Sequence, residues 1–171
     1  MAAWLPPEFE HPERVDLASG HHLRPIRESD TELDYPAVMG SRERLFSIFG
    51  PPWGWPPESL TFAADRADLA RHEREARDHK SFNYAMFDAA ETQLLGCIYI
   101  DPAERVGADA DISWWVTDAE VGGPLDTTLA EFVPRWITDD WPFTTPRFIG
   151  RDLTWAEWLA LPEINTANAS D

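Results

Sequence analysis

The pattern of hydrophobic and polar positions divides the chain into short strands and amphipathic helices. Apolar runs at 82–87 and 94–100 lie on either side of a polar connection, which predicts a β-hairpin. Polar and apolar residues alternate from 109 to 116, which predicts a strand with one polar face. Apolar residues then recur at helical spacing from Leu125 to Trp136, so the chain is predicted to continue as a helix.

The other predicted elements lie before and after this central part. A stretch rich in Ala, Arg, Asp and Glu has opposite charges four residues apart, which favours a mostly exposed helix with Phe62 and Leu69 as its buried stripe. Two extended segments are predicted at 15–17 and 22–27. A helix is predicted to begin at a capping box of Ser29 and Glu32, to be interrupted near Pro36 or Gly40, and to resume over 42–49. The remaining predictions are a stiff loop at 50–57, the charged helix at 61–79, a strand at 147–150 and a short final helix near Trp155.

Length and composition predict one packed domain. The chain has 171 residues, of which 43% are hydrophobic, so it can bury a core. We expect the domain to span residues 1–162 and a polar tail to follow at 163–171. The net charge of −17 repels nucleic acid and anionic lipid, so neither is an expected partner, whereas a positively charged ligand would be attracted.

Cysteine and carboxylate patterns argue against a disulfide or a metal. Cys97 is the only cysteine, and its apolar neighbours predict a core residue. The carboxylates at 101, 104, 109 and 111 lack the spacing of a calcium loop, so no metal is predicted. No apolar segment approaches the ~18 residues that a membrane span needs, and the first ten residues do not read as a signal peptide, so a cytoplasmic location is expected.

Glycines open the helix that follows the alternating strand. Gly122 and Gly123 precede Pro124, and glycines between a strand and a helix let backbone N–H groups and the helix dipole face an anion. This pattern predicts a nucleotide or coenzyme site. Pro124 has no N–H, and Asp126 adds a negative charge in the first helical turn, so the same residues also fit a plain helix start with proline at its first position.

Three short motifs carry a family resemblance. Leu23-Arg24-Pro25 is followed by Asp30, Leu95-Gly96-Cys97-Ile98 lies in the second hairpin strand, and Ile112-Ser113-Trp114-Trp115-Val116 is followed by Gly122. In this order they resemble the GNAT superfamily of N-acetyltransferases, in particular its branch of ribosomal-protein alanine acetyltransferases. The resemblance implies an α/β (α+β) fold with a mixed central sheet flanked by helices, here lacking the last two strands of that family.

The resemblance also implies acetyl-CoA as co-substrate, bound in a gap between two splayed parallel strands. Its pantetheine arm would pair with the first of these strands, and its pyrophosphate would lie on the glycine loop. That loop departs from the family pattern, because Ala119 stands at the Gln/Arg position and Pro124 at the second glycine. The cofactor-binding residues implied are Trp114, Trp115, Val116, Gly122, Gly123, Leu125, Thr127 and Thr128.

Catalysis in this family implies a carboxylate base and often a tyrosine acid. Asp109 and Asp111 are the candidates for the base, because both lie on the polar face of the coenzyme strand. Tyr99 is the candidate for the acid; every tyrosine precedes the glycine loop. The candidates for the acceptor site are Trp53, Trp55 and Tyr84. The two tryptophans also fit a purely structural role, in which they pack into the core beneath the loop.

Two functions remain open at this point, beside a third interpretation in which the chain is an unrelated α/β structural protein and the order of the motifs is a coincidence. The first is an acyl-CoA-dependent N-acetyltransferase, in which an amine attacks the thioester directly; its acceptor would be a small-molecule or protein amine, with a cation as one option. The second is a non-catalytic GNAT-like domain that binds a ligand or another protein, which the altered glycine loop favours. A homodimer is one option for the assembly.

Overall fold

Six strands form one mixed sheet in the order β1-β2-β3-β4-β5-β6. The computed structural model describes residues 3–164. All neighbouring strands are antiparallel except β5 and β6, which are parallel. The elements are β1 (Val15–Asp16), β2 (His22–Pro25), α1 (Thr31–Gly40), α2 (Arg42–Trp53), α3 (Phe62–Arg77), β3 (Phe82–Phe87), β4 (Leu94–Pro102), β5 (Ala110–Val116), α4 (Pro124–Asp140), β6 (Pro146–Phe148) and α5 (Trp155–Ala160).

The two faces of the sheet carry separate hydrophobic cores. On one face α4 packs with Leu129 and Val133 against Ile98 and Ile112 of the sheet. On the other face α1, α2 and α3 pack against the alternate residues of β4, among them Cys97, which is buried as the sequence predicts. The functional cavities described below open on this second face.

The predicted hairpin is confirmed, and its glycine has a packing role. Gly96 pairs with Val116 across β4 and β5. A Cβ atom at Gly96 would lie 2.2 Å from the carbonyl oxygen of Trp115, which no side chain can occupy without moving the strand. The glycine that carries the family resemblance in β4 is therefore required by the close approach of the β5 backbone.

One prediction is confirmed in one of its two alternatives, and two other local predictions need correction. The break between α1 and α2 lies at Ser41, directly after Gly40, so the alternative at Gly40 is right and Pro36 stays within α1. The predicted capping box of Ser29 and Glu32 is wrong, because Asp30 accepts the N–H of Arg27 instead. The loop predicted from 50 begins later, because α2 continues to Trp53; proline's fixed φ suits a helix, and the two prolines forgo only two backbone hydrogen bonds.

The α3 helix forms as predicted, and one of its two predicted buried residues is confirmed. Leu69 is buried, whereas Phe62 is 43% exposed; the other buried positions of the helix are Asp65 and Ala76. These positions have helical spacing, so the face of α3 that packs against the protein includes an aspartate. A prediction that looked only for apolar residues could not include Asp65.

The Leu23-Arg24-Pro25 motif fixes the turn from β2 into α1. The buried guanidinium of Arg24 donates to both oxygens of Asp30 at 2.8 and 2.7 Å, and to Glu91 of the hairpin turn at 2.8 and 2.9 Å. It also lies over the ring of Phe87, 4.3 Å from its centroid. Arg24 and His22 together lower the pKa of Glu91 to about 2. The motif is thus a buried ion-pair network that ties three parts of the chain together.

No strand of two or more residues follows β6 within residues 3–164. Glu163 forms an isolated bridge with Arg105, and Ile164 N–H donates to Glu104 O. The rest of the predicted polar tail, residues 165–171, lies outside the described residues, and the domain boundary at 162 stays a prediction. None of the described helices is both long and apolar enough to cross a membrane.

We expect Arg24→Met to lower the free energy of unfolding by about 3–5 kcal/mol, because it leaves the buried Asp30 without its guanidinium. Denaturant unfolding measures the change. The matched control is Arg14→Met, which breaks an exposed pair with Asp16 and is expected to cost less than about 1 kcal/mol. Equal losses for the two variants would contradict the structural role assigned to the Arg24 network.

Candidate functional site

The hydrogen-bond ladder between β5 and β6 ends after three residue pairs. The last pair is Ile112 with Phe148, and Ile149 N–H donates to Ile112 O at 2.9 Å. Gly150 then adopts a φ of +87°, and its N–H donates to Leu153 O, while Arg151 N–H turns back to Phe148 O. Because these donors are used in a turn, β6 cannot continue beside β5. The two strands diverge, and we call the space between 113–116 and 150–151 the strand gap.

The main-chain N–H and C=O groups of successive β5 residues point alternately towards β4 and towards the strand gap. Ile112 O bonds to β6, and Val116 O accepts from the guanidinium of Arg44, so even-numbered residues direct their main-chain groups away from β4. The N–H and C=O of Trp114 therefore face the strand gap. This is the hydrogen-bonding edge that an extended ligand needs to add itself beside a strand.

The strand gap is an open groove of about 300 Å³. The backbone of β5 forms one wall, Trp155 of α5 and Phe49 of α2 contribute aromatic surface, and two guanidiniums are at its edge. Arg44 bonds to Asp118, and Arg151 lies over the ring of Trp114 at 4.5 Å. Tryptophan side chains line this groove without filling it.

The loop between β5 and α4 satisfies its own N–H groups. Gly122, with a φ of +72°, donates its N–H to the Asp126 carboxylate at 2.9 Å. Gly123 donates to Glu120 O, and Asp118 donates to Ser41 Oγ. Proline at the first position of α4 has no N–H to offer. An acidic side chain of the protein itself thus occupies the place where an anion would bind.

A second cavity, of about 400 Å³, lies between α1, α3 and the strands β3 and β4. We call it the acidic cavity because five carboxyl groups line it. Its aromatic wall is formed by Trp53 and Trp55 at the end of α2 and by Tyr99 of β4. The carboxyl groups are those of Asp34, Asp65, Asp68, Asp101 and Glu104.

Two of these carboxyls, Asp34 of α1 and Asp65 of α3, form a buried pair. They are 3% and 2% exposed. Burial, followed by the neighbouring Asp65, raises the pKa of the Asp34 carboxyl well above its usual range. Burial raises the pKa of Asp65 to about 6, although its hydrogen bond to Asp34 acts in the opposite direction. The pair therefore holds a proton near neutral pH.

Asp101 lies where the acidic cavity meets the strand gap. A small cavity of about 30 Å³ shares Trp53 and Asp101 with the acidic cavity, and Ser113 and Trp155 with the strand gap. Ser81 donates to Asp101 Oδ1 at 2.6 Å. The pKa of Asp101 is raised to about 7: burial is the largest cause, the bond from Ser81 lowers the pKa, and the nearby Glu104 and Asp111 raise it. A carboxyl group poised near neutral pH is suited to accept a proton.

The two predicted bases have structural partners instead. Asp111 is 6% exposed, and its oxygens accept from Arg147 Nε at 2.7 Å and from Trp158 Nε1 at 3.0 Å. Asp109 lies at the end of β5 away from the strand gap, where it accepts the N–H groups of Thr144 and Thr145. Both carboxylates hold the segment around β6 in place, because it carries the donors that they bind.

The predicted coenzyme residues are spread over the strand, the loop and the core. Trp114 and Val116 face the strand gap through their main chain, whereas the Trp115 side chain is buried and donates to the Tyr99 hydroxyl at 2.8 Å. Leu125 packs in the core under α4. The hydroxyls of Thr127 and Thr128 donate to Gly123 O and Pro124 O, one helical turn back. Of the residues implied for the strand, the main chain of Trp114 thus borders the strand gap, whereas those on α4 are buried or bonded within the helix.

The predicted acceptor residues are separated by the sheet. Trp53 and Trp55 line the acidic cavity, and Tyr99 lies beside them, with its pKa raised well above the usual range by burial. Tyr84 needs correction: it is fully buried on the opposite face, where its hydroxyl donates to Pro12 O at 2.6 Å. The reason is strand alternation, which sends Tyr84 and Asn83 of β3 to opposite faces.

Sequence reasoning missed the carboxyl pair and the arginines of the strand gap. One signal was available, since Asp65 and Leu69 are four residues apart and share a helical face. The partner of Asp65 comes from another helix, which no local pattern reveals. Across residues 3–164 no group of three His, Cys, Asp or Glu side chains is arranged to hold a metal ion.

Comparison with known proteins shows the fold. No protein-family model and no curated protein matches the sequence. Among solved structures, RimL, a ribosomal L7/L12 α-N-protein acetyltransferase in complex with coenzyme A, is 15% identical and has a TM-score of 0.60; the match covers 75% of this chain and 70% of that chain. A probable acetyltransferase is 13% identical with a TM-score of 0.62, covering 79% and 72% of the two chains.

A ribosomal-protein-S5-alanine acetyltransferase from Vibrio fischeri is 14% identical with a TM-score of 0.55, and the match covers 72% of this chain and 66% of that chain, which is slightly under two thirds. These similarities establish that the chain has the GNAT acetyltransferase fold: a mixed α/β architecture with a six-stranded sheet flanked by helices. The strand gap is the feature of this fold on which the proposals below depend.

We expect Asp34→Asn to stabilise the protein at pH 8 by about 1–3 kcal/mol, because it removes one of two buried carboxyls that must otherwise share a site. A raised folded-state pKa means that the folded state binds more protons than the unfolded state, so stability falls as pH rises through about 6. The gain should therefore shrink at pH 5. Denaturant unfolding at both pH values tests this, with the exposed Asp16→Asn as control; a pH-independent effect would contradict it.

We expect Asp126→Asn to raise the affinity for coenzyme A by roughly 3–10-fold, since it removes a negative charge from the first turn of α4 and its competition for the Gly122 N–H. Calorimetric titration measures the change. Asp139→Asn, at the far end of the same helix, is the matched control and should leave the affinity unchanged. An unchanged or lower affinity for Asp126→Asn would mean that no phosphate reaches this loop.

Proposed function

We propose that this protein is an acyl-CoA-dependent N-acetyltransferase that acts on an amine. The observation that carries the proposal is the strand gap, which presents the main-chain edge of Trp114 on one side and joins the acidic cavity through Asp101 on the other. A donor placed along β5 and an amine placed in the acidic cavity would meet at this junction. The structurally similar RimL was solved with coenzyme A, which supports the assignment of the donor.

The residues present fit one part of the coenzyme better than another. The free edge of β5 suits the amide-containing thioester arm, because Trp114 offers both an N–H and a C=O. The loop after β5 does not suit the diphosphate, because Asp126 already binds Gly122 N–H and Asp118 and Glu120 add negative charge. Arg44 and Arg151 are the cations at the edge of the strand gap that are available to a phosphate.

The chemistry proposed is direct transfer between the two cavities. The bound thioester supplies an acyl group on sulfur, and the neutral amine nitrogen attacks its carbonyl carbon; a C–N bond forms and the C–S bond breaks. Asp101 accepts the proton that the nitrogen loses. The Trp114 N–H faces the strand gap and is the available main-chain donor for the carbonyl oxygen as negative charge develops on it. Tyr99 lines the acidic cavity and is not among the described residues that line the strand gap, so the thiolate takes its proton from solvent.

An aromatic contact divides the donor side from the acceptor side. Trp53 of α2 and Trp155 of α5 meet edge to face, with centroids 5.3 Å apart, and Phe49 stacks on Trp53 at 5.0 Å. Trp53 is 42% exposed, and its ring also meets that of Tyr99, so moving it would break three ring contacts. In this proposal, transfer requires Trp53 to move so that the amine reaches the strand gap.

A second function is favoured by one observation. The bond between Asp126 and Gly122 fills the loop's anion position, which suits a non-catalytic GNAT-like domain that has retained the acidic cavity for binding a ligand or another protein. The two proposals differ in whether acetyl-CoA binds at all.

We expect saturable binding of acetyl-CoA and release of free thiol when a primary amine is added. Asp101→Asn should lower kcat by about 100-fold or more, because it removes the proton acceptor. The wild-type rate should rise with pH through about 7, since Asp101 must be a carboxylate to act, and the variant should lose this dependence. The control is Asp16→Asn, which is exposed and lies outside the cavities.

The thiol-release assay also decides between the two functions. Because Cys97 is buried and its pKa is raised by burial, the protein's own thiol contributes little to the signal. Absence of binding at millimolar acetyl-CoA, with the protein still folded, would reject the transferase and leave the non-catalytic domain.

A further inference from the structure

The acidic cavity has more carboxyl groups than cations. Arg71 is the only arginine or lysine among the described residues that line it, and it already bonds to Asp68 and to Glu75 on the exposed surface of α3. His72 also lines the cavity, and its pKa is lowered chiefly by burial, so it is neutral at pH 7. Five carboxyl groups, some of them protonated near neutral pH, therefore line a cavity with no unengaged positive partner among the described lining residues.

One buried acceptor in the cavity wall has no hydrogen-bond donor among the described residues. It is Oδ1 of Asn83, which is 4% exposed. Buried polar atoms are nearly always hydrogen-bonded, so this acceptor needs an explanation. A ligand that supplies a donor would satisfy it, and an ammonium group carries three donors and no acceptor. This observation is independent of the number of carboxyls.

The carboxyls fall into two groups along β4. Asp34 lies against Cys97, whose thiol donates to Asp34 Oδ1 at 3.9 Å, and Asp65 and Asp68 lie beside it on α3. Asp101 is four residues further along the same face of the strand, which places it about 13 Å from Cys97. The cavity thus has a helix group at one end and a strand group at the other.

The wall between the two groups is aromatic. Tyr99 lies midway between Cys97 and Asp101 on the same face of β4, and Trp53 meets its ring edge to face at 5.5 Å. Trp55 meets the Tyr99 ring edge to face at 6.4 Å. Aromatic faces pack well against methylene groups and attract cations. A ligand that spans the cavity would place its apolar part here.

We propose that the acidic cavity is a binding site for an aliphatic diamine. One ammonium group lies among the carboxyls of the helix group, the methylene chain crosses Tyr99 and Trp53, and the second nitrogen lies at Asp101. The proposal depends on the function proposed above in one respect only, which is that the nitrogen at Asp101 is the one acetylated. Binding itself needs no thioester.

Calorimetric titration of the full-length protein without coenzyme tests the site. The probes are 1,4-diaminobutane and 1,6-diaminohexane, with butylamine as the monocation and 1,4-butanediol as the neutral control. We expect saturable one-to-one binding of a diamine, binding of butylamine weaker by about tenfold or more, and none for the diol. Added sodium chloride should weaken the diamine, because the attraction is electrostatic.

The variant that tests the helix group is Asp65→Asn, which keeps the side-chain volume and removes the charge. It should weaken diamine binding on the order of 30-fold, and thermal unfolding verifies that the variant folds. The matched control is Glu58→Gln, an exposed carboxylate in the loop after Trp55, which should leave the affinity unchanged. Trp53→Leu provides a second test, because it removes aromatic wall without altering the charge.

Four outcomes would overturn the proposal. They are the absence of saturable diamine binding, equal affinity for butylamine and the diamines, displacement of the diamine by micromolar calcium chloride, and binding of a short peptide with a free N-terminus in preference to a diamine. None of these results depends on acetyl-CoA. Diamine binding without thiol release would support this site and reject the proposed transferase. Thiol release without diamine binding would support the transferase and reject this site.

Discussion

The hydrogen bond from Ile149 N–H to Ile112 O is the last one that pairs β6 with β5, and the strand gap exists because the pairing ends there. Gly150 turns the backbone with a positive φ, so β6 leaves the sheet while β5 continues for four more residues. The unpaired edge of β5 would be a liability on an open surface. Here α5 and α2 enclose it with Trp155 and Phe49, which converts an exposed edge into a groove.

The negative charge of the protein has opposite effects on ligand binding at the strand gap and at the acidic cavity. The net charge of −17 is concentrated in part on the loop after β5, where it opposes a diphosphate, and in the acidic cavity, where it favours a cation. Asp126 already accepts the Gly122 N–H, so it competes with a phosphate for that donor, whereas the buried Oδ1 of Asn83 in the acidic cavity has no donor among the described residues.

The motifs that carried the family resemblance turn out to be structural. Arg24 and Asp30 form a buried ion pair that sets the turn from β2 into α1, and Gly96 makes room for the Trp115 carbonyl. Their residue types follow from local packing, which is why they were recognisable in sequence and why they point to the fold more than to chemistry. By contrast, Asp111 was a reasonable candidate base from its place on the strand, but Arg147 and Trp158 already occupy both of its oxygens.

The sequence by itself determined the order of elements, the hairpin, the alternation of β5 and the helix after Gly123, because each of these depends on side-chain period and on residues close together in the chain. Tertiary structure decided which carboxylates remain available. Asp34 and Asp65 come from different helices, and Asp101 comes from a strand, so only the packing of α1 and α3 onto β4 brings them to one cavity. Hydrogen-bond partners distant in sequence decide whether an acid is structural or reactive, and no periodicity encodes those partners.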